Sequence, residues 1–235
     1  MGMITATAII TTTTTSTTTD RTRTRAMFDY LRDPDAIYRQ SFAMLRAACD
    51  FSRVPESLVP MAERIVHACG QPDIVPDLAW GGDAAAAGHA AIGAGKPIYV
   101  DAEMVGAGIM KARLPAGNEV RCTLNDAATP ALAKERANTR SAAAVEFWLE
   151  GLEGAVAVFG NAPTALFRLL ELLGEGAPKP ALILGFPVGF VGAAESKDAL
   201  IEHAGDVPFV TLRGRLGGSA MAAAAVNALL LDAPK

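Results

Sequence analysis

The chain has 235 residues, enough for one large domain or two small ones around a sizeable core. A hydrophobic fraction of 51% with only 6% aromatics describes an Ala/Val/Leu/Gly-rich α/β protein, and a net charge of −4 gives no support for nucleic-acid binding. No apolar run reaches the ~18 residues that cross a membrane. Cys49, Cys69 and Cys122 lack metal-ligand spacing, so they are expected as buried small hydrophobes in a reducing, cytoplasmic compartment, with no metal site.

Residues 1–26 combine a threonine tract with Arg-Thr alternation and are expected to form a disordered low-complexity tail, leaving 27–235 as a single α/β domain. This start lacks the basic opening and longer apolar middle of a secretory signal. Asp33-Pro34-Asp35 supplies an N-cap, a proline at the first helical position and an acidic first turn, so a helix is predicted to about Phe51. Its apolar stripe would be Ile37, Tyr38, Leu45 and Ala48. Ser41 falls in the middle of that stripe, where its hydroxyl either bonds back to the helix or faces a polar ligand.

A second helix gathers Leu58, Met61, Ile65, Ala68 and Cys69 on one stripe, with Arg64 at its edge and His67 beyond it. Gly70 is expected to end it in the left-handed conformation. Histidine is the side chain that ordinarily exchanges protons near neutral pH. His67 lies in the last turn, where the helix dipole favours a cation, and Arg64 three residues back opposes it. A proton donor and acceptor, or a surface helix-capping histidine, both fit this pattern.

Five β-branched runs follow: Pro97–Val100, Glu119–Cys122, Ala155–Phe159, Ala181–Leu184 and Pro208–Leu212. Helices are predicted around 102–112, 139–150, 163–174, 190–202 and 217–231. Such alternation predicts a three-layer α/β/α, Rossmann-like fold with a mostly parallel five-stranded sheet behind N-terminal helices.

Ligands of such sheets bind beyond the carboxyl ends of the strands. After the first strand, Asp101 and Glu103 place two carboxylates at a helix start, as caps or as chemistry. Gly160-Asn161-Ala162-Pro163 follows the third strand, with Asn161 or Ala162 near the cap. After the fifth, Arg213-Gly214-Arg215-Leu216-Gly217-Gly218 pairs two arginines with glycines before a helix, which suits a carboxylate or phosphate. Thr139 and Arg140 precede another helix. Neither a dinucleotide Gly-x-Gly-x-x-Gly fingerprint nor a Walker lysine loop is present. His89 and His203 read as solvated helix positions.

These segments together resemble the precorrin-8X methylmutase family, isomerases of corrin-ring (cobalamin) biosynthesis. The resemblance rests on Tyr30–Tyr38, Arg64–Gly70, Lys111–Val120, Asn138–Ala143, Gly160–Phe167, Gly189–Lys197 and Arg213–Ala220, and covers residues 28 to about 230. It implies a methyl shift from C-11 to C-12 of precorrin-8X, giving hydrogenobyrinate with no redox change and no cofactor. It also implies that His67 is the catalytic proton donor and acceptor and that Ser41 and Arg64 contact substrate. Thr139 with Arg140, and Arg213 with Arg215, are added on chemical grounds, because the corrin periphery bears acetate and propionate groups. A homodimer is expected, partly from the family and partly because the small-residue helix after Gly217 invites close approach. A non-catalytic tetrapyrrole carrier, the cobalt-precorrin-8 form of the isomerase and a nucleotide-dependent oxidoreductase are the competing readings.

Overall fold

Asp33 begins the first helix by accepting a hydrogen bond from the Asp35 N–H, with Pro34 in the first helical position, and α1 spans Pro34–Ala48. The structure, a computed structural model, describes residues 28–231, so the expected tail lies outside the described residues. On α1 only Phe42 and Leu45 are buried. Ile37 and Tyr38, expected in its apolar stripe, are 46% and 48% exposed, and Ala48 is exposed as well. The helix packs chiefly on α2 (Val59–Cys69), and so has one narrow face to bury. In α2, Met61, Ala62, Ile65 and Val66 are buried, whereas Ala68 is exposed. Gly70 closes α2 at φ 67°, a left-handed value that glycine adopts without a Cβ penalty, and its N–H donates to the Val66 carbonyl.

The chain continues through β1 (Leu78–Gly81), α3 (Ala84–Gly93), β2 (Ile98–Val100), α4 (Glu103–Gly108), β3 (Val120–Arg121), α5 (Thr129–Glu135) and α6 (Arg140–Glu146). It ends with β4 (Val156–Phe159), α7 (Pro163–Gly174), β5 (Leu182–Gly185), α8 (Ala193–His203), β6 (Phe209–Leu212) and α9 (Ser219–Leu231).

The sheet has six strands in the order β1-β6-β5-β4-β2-β3, one more than the five expected. The added strand, β1, runs antiparallel to β6 at one edge, and every other pairing is parallel. Alternate residues of the parallel strands face opposite layers, as the strand period of two requires. Ile98, Val100, Val156, Val158, Leu182 and Leu184 pack with the buried faces of α2, α3 and α9. Tyr99, Ala157, Phe159 and Ile183 pack under α7 with Trp148, Leu166 and Leu169. The small-residue helix α9, expected at a subunit contact, instead buries Met221, Ala222, Ala223, Ala225 and Val226 inside the subunit against α2 and α4. Its alanines let α2 approach closely.

Strand order reverses between β2 and β4. Chain progress runs outward from β2 to β3, then returns to β4 and continues through β5 to β6. That reversal is where open α/β sheets form a crevice beyond their carboxyl ends.

Candidate active site

β1 begins at Leu78, paired with Leu212 at the carboxyl end of β6. A 3-10 stretch over Pro72–Asp77 therefore leads from the end of α2 to the carboxyl edge of the parallel strands. There the Arg213 N–H donates to the Asp77 carbonyl at 2.9 Å. The last turn of α2 and the arginine loop after β6 are thus tied to one edge of the sheet.

His67 is exposed in that last turn. Its Nδ1 lies 3.1 Å from Ser41 Oγ, and its ring stacks on Phe42 with centroids 5.0 Å apart and planes at 17°. The hydroxyl of the expected stripe therefore bonds across to α2. Helical spacing makes this meeting possible: Tyr38, Ser41, Phe42 and Leu45 share one face of α1, while Glu63, Arg64 and His67 share one of α2. The Arg64 guanidinium donates to Tyr38 Oη at 3.1 Å and sits 5.6 Å from the Phe42 ring centre. Glu63, only 7% exposed, accepts from Nε and Nη2 of Arg46, the latter at 2.9 Å. This two-point ion pair fixes α1 on α2 and with it the Ser41–His67 distance. Tyr38, Phe42, Arg46, Glu63 and Arg64 line a groove of about 480 Å³. A larger groove, about 600 Å³, lies between the ends of α7 and α8 at the amino edge of β6, away from these residues.

The crevice at the β2/β4 reversal is bridged by the protein itself. Asp101, 2% exposed, accepts from the Gly160 N–H at 2.9 Å and from those of Asn161 and Ala162 at 2.9 and 2.7 Å. The carboxylate, read from sequence as a helix cap or as chemistry, therefore braces the turn into α7. Burial pushes its carboxyl above the usual range, against the opposing pull of the three N–H donors. Beside that turn, Thr139 Oγ1 caps α6 by accepting from the Ala142 N–H at 3.1 Å and bonds Thr164 Oγ1 at 2.8 Å.

The remaining candidates are engaged locally. Exposed Arg140 donates to the Leu124 carbonyl and, at 2.8 Å, to Asn125 Oδ1. Arg213 lies 3.6 Å from Asp198, and Arg215 covers the Phe190 ring at 5.7 Å. Three groups result: Ser41, Arg64 and His67 on α1–α2, Thr139 and Arg140 opening α6, and Arg213 and Arg215 after β6. Sequence reasoning missed Tyr38, Phe42, Arg46 and Glu63 as partners. The i, i+4 spacing of Tyr38 and Phe42 was the available signal.

His203 is exposed as expected, but His89 is half-buried, and its Nε2 has no partner among the described residues. The three free cysteines are half-buried rather than buried, and desolvation pushes the Cys122 thiol up to about 11. Among the described residues no helix is long and apolar enough to cross a membrane.

Residues 36–231 match the family model described as precorrin-8X methylmutase. The chain belongs to the precorrin-8X methylmutase family. It is accordingly an enzyme of the isomerase class. It is 62% identical to the precorrin-8X methylmutase of Pseudomonas aeruginosa, covering 88% of this chain and 99% of that protein. It is 59% identical to that of Sinorhizobium sp, covering 86% and 96%. Identity to the cobalt-precorrin-8 methylmutase of Priestia megaterium is 35%, covering 83% and 87%. The fold is similar to the crystal structure of the precorrin-8X methyl mutase of Thermus thermophilus, with a TM-score of 0.76 at 38% identity, covering 83% of this chain and 94% of that one.

Proposed function

We propose that the chain acts in cobalamin biosynthesis, converting metal-free precorrin-8X to hydrogenobyrinate by moving one methyl group from C-11 to C-12, with His67 as proton donor and acceptor. The observation that carries this reading is the Ser41–His67 pair, 3.1 Å apart on an exposed face beside Arg64. With Nδ1 engaged by the serine hydroxyl, Nε2 is the ring nitrogen left to exchange a proton with substrate. Protonating the conjugated macrocycle on ring C lowers the barrier to migration, and the methyl then shifts within one molecule. No redox partner or cofactor is needed. The metal-free substrate is favoured because identity is 62% to a relative named for precorrin-8X and 35% to one named for cobalt-precorrin-8.

Arg64, Arg213 and Arg215 are assigned to the acidic periphery of the ring. Arg140 joins them with the donors it does not spend on Leu124 and Asn125, and Thr139 offers its hydroxyl. A second copy of the chain is assigned to the outer face of α1, where Ile37 and Met44 are 46% and 65% exposed. Three free thiols suit a reducing cytoplasm. The test is incubation with precorrin-8X, followed by its visible spectrum. Conversion to the hydrogenobyrinate spectrum supports the isomerase, whereas binding with no spectral conversion points to a carrier.

A further inference from the structure

Lys197 is a costly residue for its position. It lies in the first half of α8 with no solvent exposure, and its Nζ donates to the Leu216 carbonyl at 2.6 Å. A buried ammonium is disfavoured unless its surroundings compensate, and an apolar side chain would fill the same space more cheaply. Burial lowers its amine to about 8, with only the following residue, Asp198, opposing the shift. Asp198 itself faces Arg213 at 3.6 Å. Two consecutive residues of α8 therefore grip the arginine loop, one near its start and one near its end.

The rest of the loop is laced to the segment before α8. The Gly218 N–H donates to the Phe186 carbonyl at 2.8 Å, and the Gly189 N–H donates to that of Arg215 at 3.3 Å. A β-carbon on Gly217 would come within 2.5 Å of the Pro187 carbonyl oxygen, so the two segments touch through backbone. Arg215 is exposed on a loop whose backbone is held from beneath. Of these ties only Lys197 is a buried side chain reaching the loop from a regular element.

We propose that Lys197 is a positioning residue for the substrate: its buried amine fixes the Arg213–Gly218 loop so that Arg213 and Arg215 meet the ring carboxylates at a set angle. This rests on the assignment of those arginines to the substrate. The residue makes no contact with the reacting atoms, so its effect belongs in binding.

The test compares wild type with Lys197→Met, which keeps length and loses the donor, and with Lys197→Gln, which restores a shorter donor. Steady-state turnover of precorrin-8X and a visible-absorbance titration with hydrogenobyrinate supply the readouts, together with amide exchange over residues 214–218. Losing one hydrogen bond to the loop is expected to raise KM and weaken product binding about tenfold in the Met variant. Its kcat should stay close to wild type because His67 stands on α2, and Gln should recover part of the affinity. Exchange of the loop amides should quicken. Because Lys197 acts through both arginines, adding Lys197→Met to the Arg213→Ala/Arg215→Ala double variant should weaken binding no further.

If the arginine variants lose affinity and Lys197→Met binds like wild type, this proposal alone is overturned. It is overturned as well if the Met and Gln variants lose kcat and melting temperature together without a selective rise in KM. If Arg213→Ala and Arg215→Ala both bind like wild type, the carboxylate assignment fails first and the proposal falls with it, even where loop exchange quickens.

Discussion

Asp101→Ala removes one carboxylate that accepts from three backbone N–H groups, those of Gly160, Asn161 and Ala162. Each buried donor left without a partner costs about 1–3 kcal/mol, so three orphaned groups set an upper range near 3–9 kcal/mol. Two effects reduce it. The carboxylate bears a desolvation penalty large enough to raise its pKa, and water entering the space vacated would satisfy some of the donors. A loss of about 3–5 kcal/mol is expected, large against the 5–15 kcal/mol of a typical domain. Asp101→Asn separates the contributions. With its oxygen toward Asn161 and Ala162, the amide nitrogen faces the Gly160 N–H, and that one unsatisfied donor costs about 1–3 kcal/mol. Urea unfolding followed by circular dichroism, at an unchanged m-value, measures both. The order wild type, Asn, Ala is predicted. Equal stability of Asp101→Ala and wild type would refute the claim that Asp101 braces the turn into α7.

The lowered amine of Lys197 makes a pH prediction whose sign is fixed by linkage. Between about pH 8 and the ordinary lysine range the unfolded chain holds a proton that the folded one has released, so stability should rise with pH across that window; Lys197→Met should flatten the rise in urea midpoints. Arg140→Ala and Arg213→Ala should each weaken hydrogenobyrinate binding by about tenfold, with a further fall at high salt, as read by absorbance titration at two ionic strengths. Lysine should rescue either site only in part, since it lacks the planar fork. Sedimentation at micromolar concentration should give twice the 24.4 kDa chain mass, and Met44→Asp on the exposed face of α1 should shift the protein toward the monomer.

Much of the fold was legible because strongly patterned segments carry their own signals. Asp33-Pro34 opened α1, Gly70 closed α2, and each of the five parallel strands fell inside or within one residue of a β-branched run. The edge strand β1 was not legible: Leu78-Ala79-Trp80-Gly81 has no β-branched residue and ends in glycine. The helix α3 was read only at His89, and its extent escaped for a different reason. Ala84–Gly93 is nearly uniform in alanine and glycine, so it has no polar face to set a helical period against. At the site, loop position announced the arginines, but the meeting of Ser41 with His67 joins residues 26 apart on two helices. Local pattern carries no such pairing, and the family resemblance implied only that the two residues meet one substrate. Arg46 and Glu63, which fix that meeting, stand 17 residues apart, and no local pattern pairs them. Asp101 read as a cap or as chemistry, and its brace across the reversal of strand order joins residues some 60 apart that no local pattern connects.

The most direct test of the account is turnover of precorrin-8X by His67→Ala beside Ser41→Ala, followed in the visible spectrum. His67 is exposed, so its removal should leave the melting temperature within a few degrees of wild type while the rate falls by roughly 10²–10⁴-fold, the usual worth of a positioned proton donor. Ser41→Ala should retain the proton group and lose only its orientation, giving a smaller loss of kcat. Near wild-type turnover by His67→Ala, with the protein folded and binding substrate, would contradict the account.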